Sequence, residues 1–503
     1  MFLTILANLK QLMSNIREKV EIKLVSKAVN HTLNVLKEDD PRPGLRKLLN
    51  VFWRFTGNTY QDSTYDTLKA AIDNPKNDRW VRLMQRGARD IDHNILYKNF
   101  MNLGYYGSAR GIQKNNRISE ENDCNVPNII LFDPTTACNM HCKGCWSAEY
   151  GHKWNMSYET MHKIVKEGID VGCYIYFMTG GEPLVKKKEI LRLAEEFPQA
   201  AFHIYTNATL IDEEFCQEVK RLGNLSFAVS IEGFEDMNDS RRGEGSYQRI
   251  IESLKLMKKN KLGYAASICY TSANYKIVTS DEFLKFLIDL GVVHVWYFHY
   301  MPVGVNAAPE LMPTAEQREY MIKRVRYLRS PECDLDIFVA DFQNDGEFVG
   351  GCIAGGRNYI HINAKGDIEP CVFIHYSNSN INDTSLMEAM KAPLMMAYHD
   401  NQPFNGNHFR PCPMLENPDL LPRLVKESGA ISTDYIAPES PEELRAKTAP
   451  YAEQWTEKAD EMWEEFGKRQ NIADRPDYQE LVAEQKQQQE DLKDELAKLN
   501  LHP

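Results

Sequence analysis

The sequence predicts an α/β protein built on a partial (β/α)6 TIM-like barrel with helical segments at both ends. Three observations carry this. Six short runs rich in β-branched and aromatic residues recur between Asn128 and Phe298, stretches with helical apolar spacing separate them, and each separation is long enough for a crossover helix. Parallel strands need connections of a dozen or more residues, so strands joined in this way form a parallel sheet.

The strands are expected at Asn128–Phe132, Tyr174–Met178, Phe202–Tyr205, Ser226–Ile231, Tyr264–Tyr270 and Val293–Phe298. The helices are expected near Tyr158–Val171, Lys186–Phe197, Asp212–Leu222, Tyr247–Lys259 and Ser280–Leu290. After about Pro302 the alternation is expected to stop. The chain then divides into a helical region (1–120), the barrel (121–305), a loop-rich α+β module bearing cysteines (306–436) and an acidic helical tail (437–503), read as a solvated helix or a frayed extension.

Of 503 residues 43% are apolar and 26% charged, ordinary usage for a globular protein with a substantial core. Lys and Arg number 59 against 71 Asp and Glu, and the net charge of −12 speaks against nucleic acid as a partner. The first sixty residues depart from this balance, with ten Lys and Arg against five Asp and Glu. There Phe2, Ile5, Leu6, Leu9, Leu12, Met13, Ile16 and Val20 form one helical face before Pro41, Pro43 and Gly44 break the pattern. Such a face packs on the rest of the protein or lies on an anionic membrane surface. No apolar run approaches the roughly 20 residues that span a bilayer. The eleven cysteines are an odd number in a chain without a signal-peptide pattern, which points to a reducing cytoplasm rather than a disulfide framework.

The chemistry gathers where strands end. After the first strand comes Cys138-Asn-Met-His-Cys142-Lys-Gly-Cys145, three thiols within eight residues. Alone this loop leaves open a 4Fe-4S cluster, a structural zinc ion with Cys124 or His141 as fourth ligand, and chance spacing. Three cysteines on four irons leave one iron free to bind a substrate or cofactor. The second strand runs into Thr179-Gly180-Gly181-Glu182-Pro183, the third ends at Thr206-Asn207, and the fourth at Ser230-Ile231-Glu232-Gly233. In α/β barrels the C-terminal rim of the strands is where ligands sit.

Together, Cys138-x3-Cys142-x2-Cys145, the Gly180–Pro183 turn, Asn207, and Ser230–Gly233 followed by Asp239, Arg241 and Gly243 resemble the radical S-adenosylmethionine (radical SAM) superfamily over about Pro127 to Pro302. The resemblance implies a 4Fe-4S cluster on Cys138, Cys142 and Cys145 whose fourth iron is chelated by S-adenosylmethionine. Reductive cleavage then yields a 5′-deoxyadenosyl radical that removes hydrogen from a substrate. It also implies that Gly180, Gly181 and Glu182 hold the methionine ammonium, that Asn207, Ser230 and Glu232 face the ribose or methionine, and that Arg241 or Arg242 pairs with the carboxylate. One departure stands out. The position before the last cysteine, usually aromatic, is Gly144, and Trp146 is as well placed to be a core residue as to replace it.

A second set, Cys352, Cys371 and Cys412, follows. Tyr359–Ile362 and Asp367–Ile368 flank Asn363-Ala-Lys-Gly366, whose turn residues predict a hairpin that would bring Cys352 and Cys371 together. The C-x13-G-x4-C pattern resembles the opening of SPASM or Twitch modules, which implies one auxiliary 4Fe-4S cluster. Its fourth ligand is left open among Cys333, His399, His408, a substrate or none, and three buried thiols without metal is the competing reading. Cys124, Cys173, Cys216 and Cys269 read as core residues. His299, Tyr300 and Met301, beyond the sixth strand, are candidates for substrate contact or packing.

The expected function is a radical SAM enzyme acting on a peptide or protein side chain. The alternatives are C–H modification of a lipid at a membrane surface, suggested by the basic N-terminus, and a zinc-stabilised interaction protein. The resemblance implies a reduced flavodoxin or ferredoxin as electron donor.

Overall fold

The computed structural model describes residues 2–56, 62–73, 78–304, 306–467 and 478–498. Its centre is a nine-stranded sheet in the order β7-β6-β5-β4-β3-β2-β1-β8-β9. The six expected strands are β1 (Ile129–Phe132), β2 (Ile175–Met178), β3 (Ala201–Thr206), β4 (Leu225–Ser230), β5 (Tyr264–Tyr270) and β6 (His294–His299), all parallel. Alternation within each strand sorts the faces. Tyr176 and Met178 of β2 and Val295 and Tyr297 of β6 are fully buried on the outer face, while Phe177, Trp296 and Phe298 turn toward a cavity inside the curved sheet.

The alternation does not stop at Pro302. A further helix (Ala315–Arg329) leads into β7 (Phe338–Asp341), which pairs parallel to β6. Sequence periodicity hides this unit because the helix buries charge: Arg318 and Arg324 are fully covered, with Arg318 donating to Asn344 and Arg324 to Asp281. At the other edge β8 (Tyr359–Ile362) pairs parallel to β1, and β9 (Ile368–Glu369) returns antiparallel to β8. This is the expected hairpin, with Gly366 at φ +95° in its turn. The cysteine-bearing hairpin is thereby continuous with the barrel sheet.

The N-terminal region is helical: α1 (Phe2–Val35), α2 (Arg42–Thr56), α3 (Asp62–Asp73), α4 (Asp78–Asp90), α5 (His93–Asn99), a π-helical segment (Phe100–Gly111) and α6 (Ile112–Asn122). Its own small core joins Val25, Val29 and Leu33 of α1 to Leu45, Leu49, Ile72, Val81 and Met101. The apolar side chains expected on one face from Phe2 to Ile16 lie outside the described residues, and Val20 is exposed. Helices α4 and α5 cap the N-terminal ends of the strands. Arg86 donates to the carbonyls of Val292 and Asp336, Asn94 to those of Lys220 and Arg221, and the Asp92 amide to Lys261. The end of the barrel opposite the Cys138 loop is therefore closed.

The acidic tail is not a solvated extension. Its first helix, Pro441–Met462, buries Tyr451, Trp455, Ala459 and Met462. Trp455 Nε1 donates to the Phe409 carbonyl at 2.9 Å, and Arg318 lies over the indole at 4.4 Å. The last helix, Tyr478–Lys498, buries Leu481, Val482, Leu492 and Leu496, and Gln489 Oε1 accepts from the Asp281 amide. The acidic residues occupy the outer faces, which dominates composition while the inner face packs. No helix among the described residues is long and apolar enough to cross a membrane.

Trp455→Ala should cost about 3–5 kcal/mol of unfolding free energy, because it opens a cavity and leaves a buried Arg318 without its stacking partner. Denaturant unfolding monitored by circular dichroism checks this. A change within about 0.5 kcal/mol would return the tail to a peripheral role.

Candidate active site

A cavity of about 300 Å³ opens along the inner face of the sheet. Cys138, Cys142 and Cys145 line it together with Gly180, Gly181, Glu182, Asn207, Ser230, Arg241 and Arg242. All but one of the expected cofactor contacts thus meet in one space. The exception is Glu232, fully buried behind the lining. Its Oε1 accepts from Arg241 Nη1 at 2.5 Å and from Arg242 Nε at 2.9 Å, and its Oε2 accepts from the Cys269 amide. Glu232 therefore holds both arginines and does not face the cavity. Cys269, expected in the core with Cys124, Cys173 and Cys216, lines the cavity because it lies on the inward face of β5; the other three are fully buried.

The cysteine loop is sewn to the strand ends by backbone. The Gly181 amide donates to the Thr135 carbonyl at 2.9 Å, and the Glu182 amide to that of Ala137 at 2.8 Å. A Cβ on Gly181 would stand 2.3 Å from the Ala137 oxygen and 2.5 Å from that of Thr136, so only glycine lets the two segments approach. The Glu182 carboxylate accepts from Thr206 Oγ1 (2.6 Å), the Leu184 amide (3.0 Å) and the Asn207 amide (2.8 Å). Asn207 Nδ2 in turn donates to Asn139 Oδ1 inside the cysteine loop. On the other side the Lys143 amide donates to the Arg241 carbonyl. Three strand ends thus converge on one loop. Burial pushes the Cys138 thiol up to about 11, with the loop carboxylate Glu182 acting in the same direction.

Gly144, at φ +64°, explains the departure in the motif. A Cβ there would fall 2.3 Å from the Tyr300 hydroxyl, so the aromatic that covers this side of the loop comes from beyond β6. The Tyr300 hydroxyl is anchored by the Ala308 amide at 2.8 Å. Tyr300, His299 and Met301 all line the cavity. His299 is neutral, held by burial down to about 3, with Nδ1 at 2.7 Å from the Tyr300 carbonyl and Nε2 at 3.0 Å from the Tyr451 hydroxyl.

Trp146 lines the cavity and also packs onto a buried network that no sequence motif marks. Its ring meets His361, His375, Phe373 and Tyr150 edge-on. His361, on β8, stands between Asp133, which directly follows β1, at 3.1 Å and Glu369, on β9, at 2.6 Å; all three are fully buried. Burial disfavours an imidazolium there, but the two carboxylates overcome it and raise His361 to about 10. Glu369 also accepts from the hydroxyls of Tyr150 and Thr433. The network ties the root of the first cysteine loop to the hairpin of the second set. Separate single residues in sequence, these groups carry no local spacing that would reveal them.

Cys352, Cys371 and Cys412 line a second cavity of about 70 Å³. None of the other candidates for a fourth ligand lines it. Cys333 is buried beside Arg79, His399 pairs with Asp400, and His408 packs on Trp463. Burial pushes the Cys352 thiol up to about 12 and that of Cys371 to about 11, so any metal centre there binds with loss of protons.

Both donor sets fit an iron-sulfur cluster: each is three thiols facing one cavity, and neither cavity is lined by Cys124, His141, Cys333, His399 or His408. Among the described residues no three His, Cys, Asp or Glu side chains converge to hold a single metal ion.

Residues 132–290 match the Radical SAM superfamily. The chain carries a radical SAM domain. Enzymes of this superfamily use a 4Fe-4S cluster and S-adenosylmethionine, which agrees with the donor sets above. An uncharacterised protein of Archaeoglobus fulgidus is 28% identical over 261 residues, 48% of this chain and 60% of that protein's length. An AdoMet-dependent heme synthase of Methanosarcina barkeri is 21% identical over 344 residues, 63% of this chain and 96% of the synthase. Among solved structures, Streptococcus suis SuiB bound to S-adenosylmethionine superimposes with a TM-score of 0.51 at 18% identity, covering 67% of this chain and 82% of SuiB. That likeness concerns the fold.

Two predictions follow from the geometry. Gly181→Ala should markedly lower the iron retained after anaerobic reconstitution, because its Cβ would displace the backbone before Cys138. Gly104→Ala, with open space around it, should not. Equal iron in the two variants would contradict the close approach. For His361, whose folded pKa lies above its unfolded value of about 6.5, the stabilisation is fully present below pH 6.5 and lost as pH rises toward 10. His361→Gln should flatten that alkaline loss in denaturant titrations at pH 6 to 10. An unchanged slope would mean that the imidazole is neutral.

Proposed function

We propose that the radical SAM domain of this chain cleaves S-adenosylmethionine at Cys138, Cys142 and Cys145 and removes a hydrogen atom from an apolar side chain of a peptide or protein. The carrying observation is the makeup of the 300 Å³ cavity: a cofactor side of glycine, amide and arginine groups beside the three thiols, and an opposite side of Phe177, Tyr205, Trp296, Phe298 and Phe373. When bound, a 4Fe-4S cluster and S-adenosylmethionine supply a 5′-deoxyadenosyl radical. The chain's own contribution is placement and exclusion of water. Gly180 and Gly181 and the remaining lone pairs of Glu182 suit the methionine ammonium. Ser230 and Asn207 suit the ribose, and Arg241 suits the carboxylate, its Nε being buried without a hydrogen-bond partner.

The substrate side favours a hydrocarbon group. The charged side chains that line the cavity, Glu182, Arg241 and Arg242, all lie on its cofactor side, with the two arginines sharing Glu232. A charged substrate group would instead face Phe177, Tyr205, Trp296 and Phe298 and pay the desolvation cost. SuiB, of the same fold, has been crystallised with its precursor peptide SuiA, which supports a peptide as the carrier of that group. A reduced flavodoxin or ferredoxin would supply the electron. Cys352, Cys371 and Cys412 would hold one auxiliary 4Fe-4S cluster.

A second reading, an acyl chain of a lipid, is favoured by α1. Its Lys19, Lys23 and Lys27 are exposed one turn apart, flanked by Val20 and Leu24 at 53% and 55% exposure. Such a face suits an anionic bilayer surface.

Anaerobic assay of 5′-deoxyadenosine after reduction tests the first reading. The wild-type chain should form it, and Cys138→Ala, Cys142→Ala or Cys145→Ala should abolish it. Formation by the variants would sink the assignment. Co-sedimentation with phosphatidylglycerol vesicles tests the second. The lipid reading expects binding that falls at least tenfold when Lys19, Lys23 and Lys27 are changed to Glu, and absence of wild-type binding would remove its support.

A further inference from the structure

A thin partition of shared side chains separates the two cavities. Met301, Phe342, Ile353, Tyr359 and Phe373 face both spaces. Four of them offer only hydrocarbon or thioether surface. Tyr359 differs. It is buried, its ring stands edge-on to Phe342 with centroids 6.0 Å apart, and its hydroxyl donates to Cys371 Sγ at 2.7 Å. Its backbone is fixed on β8 opposite Ile129, another residue lining the large cavity. One rigid side chain therefore presents its ring to the substrate side and its oxygen to a thiol of the second set.

Hydrogen bonds to the sulfurs of an iron-sulfur cluster stabilise its more negative, reduced state and so raise its reduction potential. A tyrosine hydroxyl is a donor of this kind. We propose that Tyr359 is a positioning residue that sets the reduction potential of the auxiliary cluster from the wall of the substrate cavity. The inference rests on the reading that Cys352, Cys371 and Cys412 hold such a cluster. It gives the apolar cavity a direct link to that cluster, since a group packed on the Tyr359 ring bears on the same side chain that bonds Cys371.

Tyr359→Phe keeps the ring and removes only the oxygen. In the full chain, reconstituted anaerobically, the variant should keep the iron content of the wild type. In redox titrations followed by electron paramagnetic resonance, the auxiliary midpoint should move to more negative potential while that of the first cluster stays in place. Resonance Raman spectra should show an Fe–S stretch that shifts between H2O and D2O in the wild type and no longer shifts in the variant. An unchanged auxiliary midpoint at full iron content would overturn the proposal. So would loss of the auxiliary iron in Tyr359→Phe, which would make the residue a structural prop. A wild-type chain with only about four irons would instead remove the auxiliary cluster itself, so the two failures are distinguishable.

Discussion

The close backbone approach of Gly180 and Gly181 to Thr135–Ala137 is the constraint on which the site depends. Parallel pairing of β1 and β2 brings their ends side by side, and two amide-to-carbonyl hydrogen bonds extend that pairing beyond the last residue of each strand. The loop that follows therefore starts from a fixed position. Glu182 then gathers Thr206 and Asn207 at the end of β3, and Asn207 reaches back to Asn139 between the first two thiols. From the opposite side Glu232 clamps Arg241 and Arg242, and the Arg241 carbonyl receives Lys143. A loop without regular structure of its own is held by the ends of three strands and by the helix that carries Arg241.

The second constraint is charge. Asp133, His361 and Glu369 stand together where water does not reach, and the two acidic side chains favour the protonated imidazole. Breaking such a group by removing one partner costs far more than the group itself contributes, because a buried charge is left alone. Its position matters more than its energy. It joins the strand that launches the first cysteine loop to the hairpin that carries the second set, so the two thiol groups share one rigid frame.

Much of this was legible in the sequence. Six strands and their crossovers followed from apolar spacing, since the strands are buried on their outer faces and read as short apolar runs. The Cys138 loop and the Gly180–Pro183 turn were visible as local motifs, and the β8–β9 hairpin was visible from Asn363 to Gly366. What stayed hidden depends on side chains that meet only in three dimensions. The helix before β7 buries arginines and so lacked an apolar stripe. The tail's inner face was masked by its acidic outer face. Glu232 was read as a ligand contact because its place at a strand end is visible, whereas the two arginines that consume it lie a helix away. Tyr300 fills the space over Gly144 from a distance of more than 150 residues along the chain, which no local pattern records.

The chain presents two separate three-thiol sites on one frame, and each is proposed to hold a 4Fe-4S cluster. Iron counting after anaerobic reconstitution measures it directly. About eight irons per chain are expected for the wild type and about four for Cys371→Ala. A wild-type chain without iron, or a Cys371→Ala variant that keeps the full content, would contradict the account.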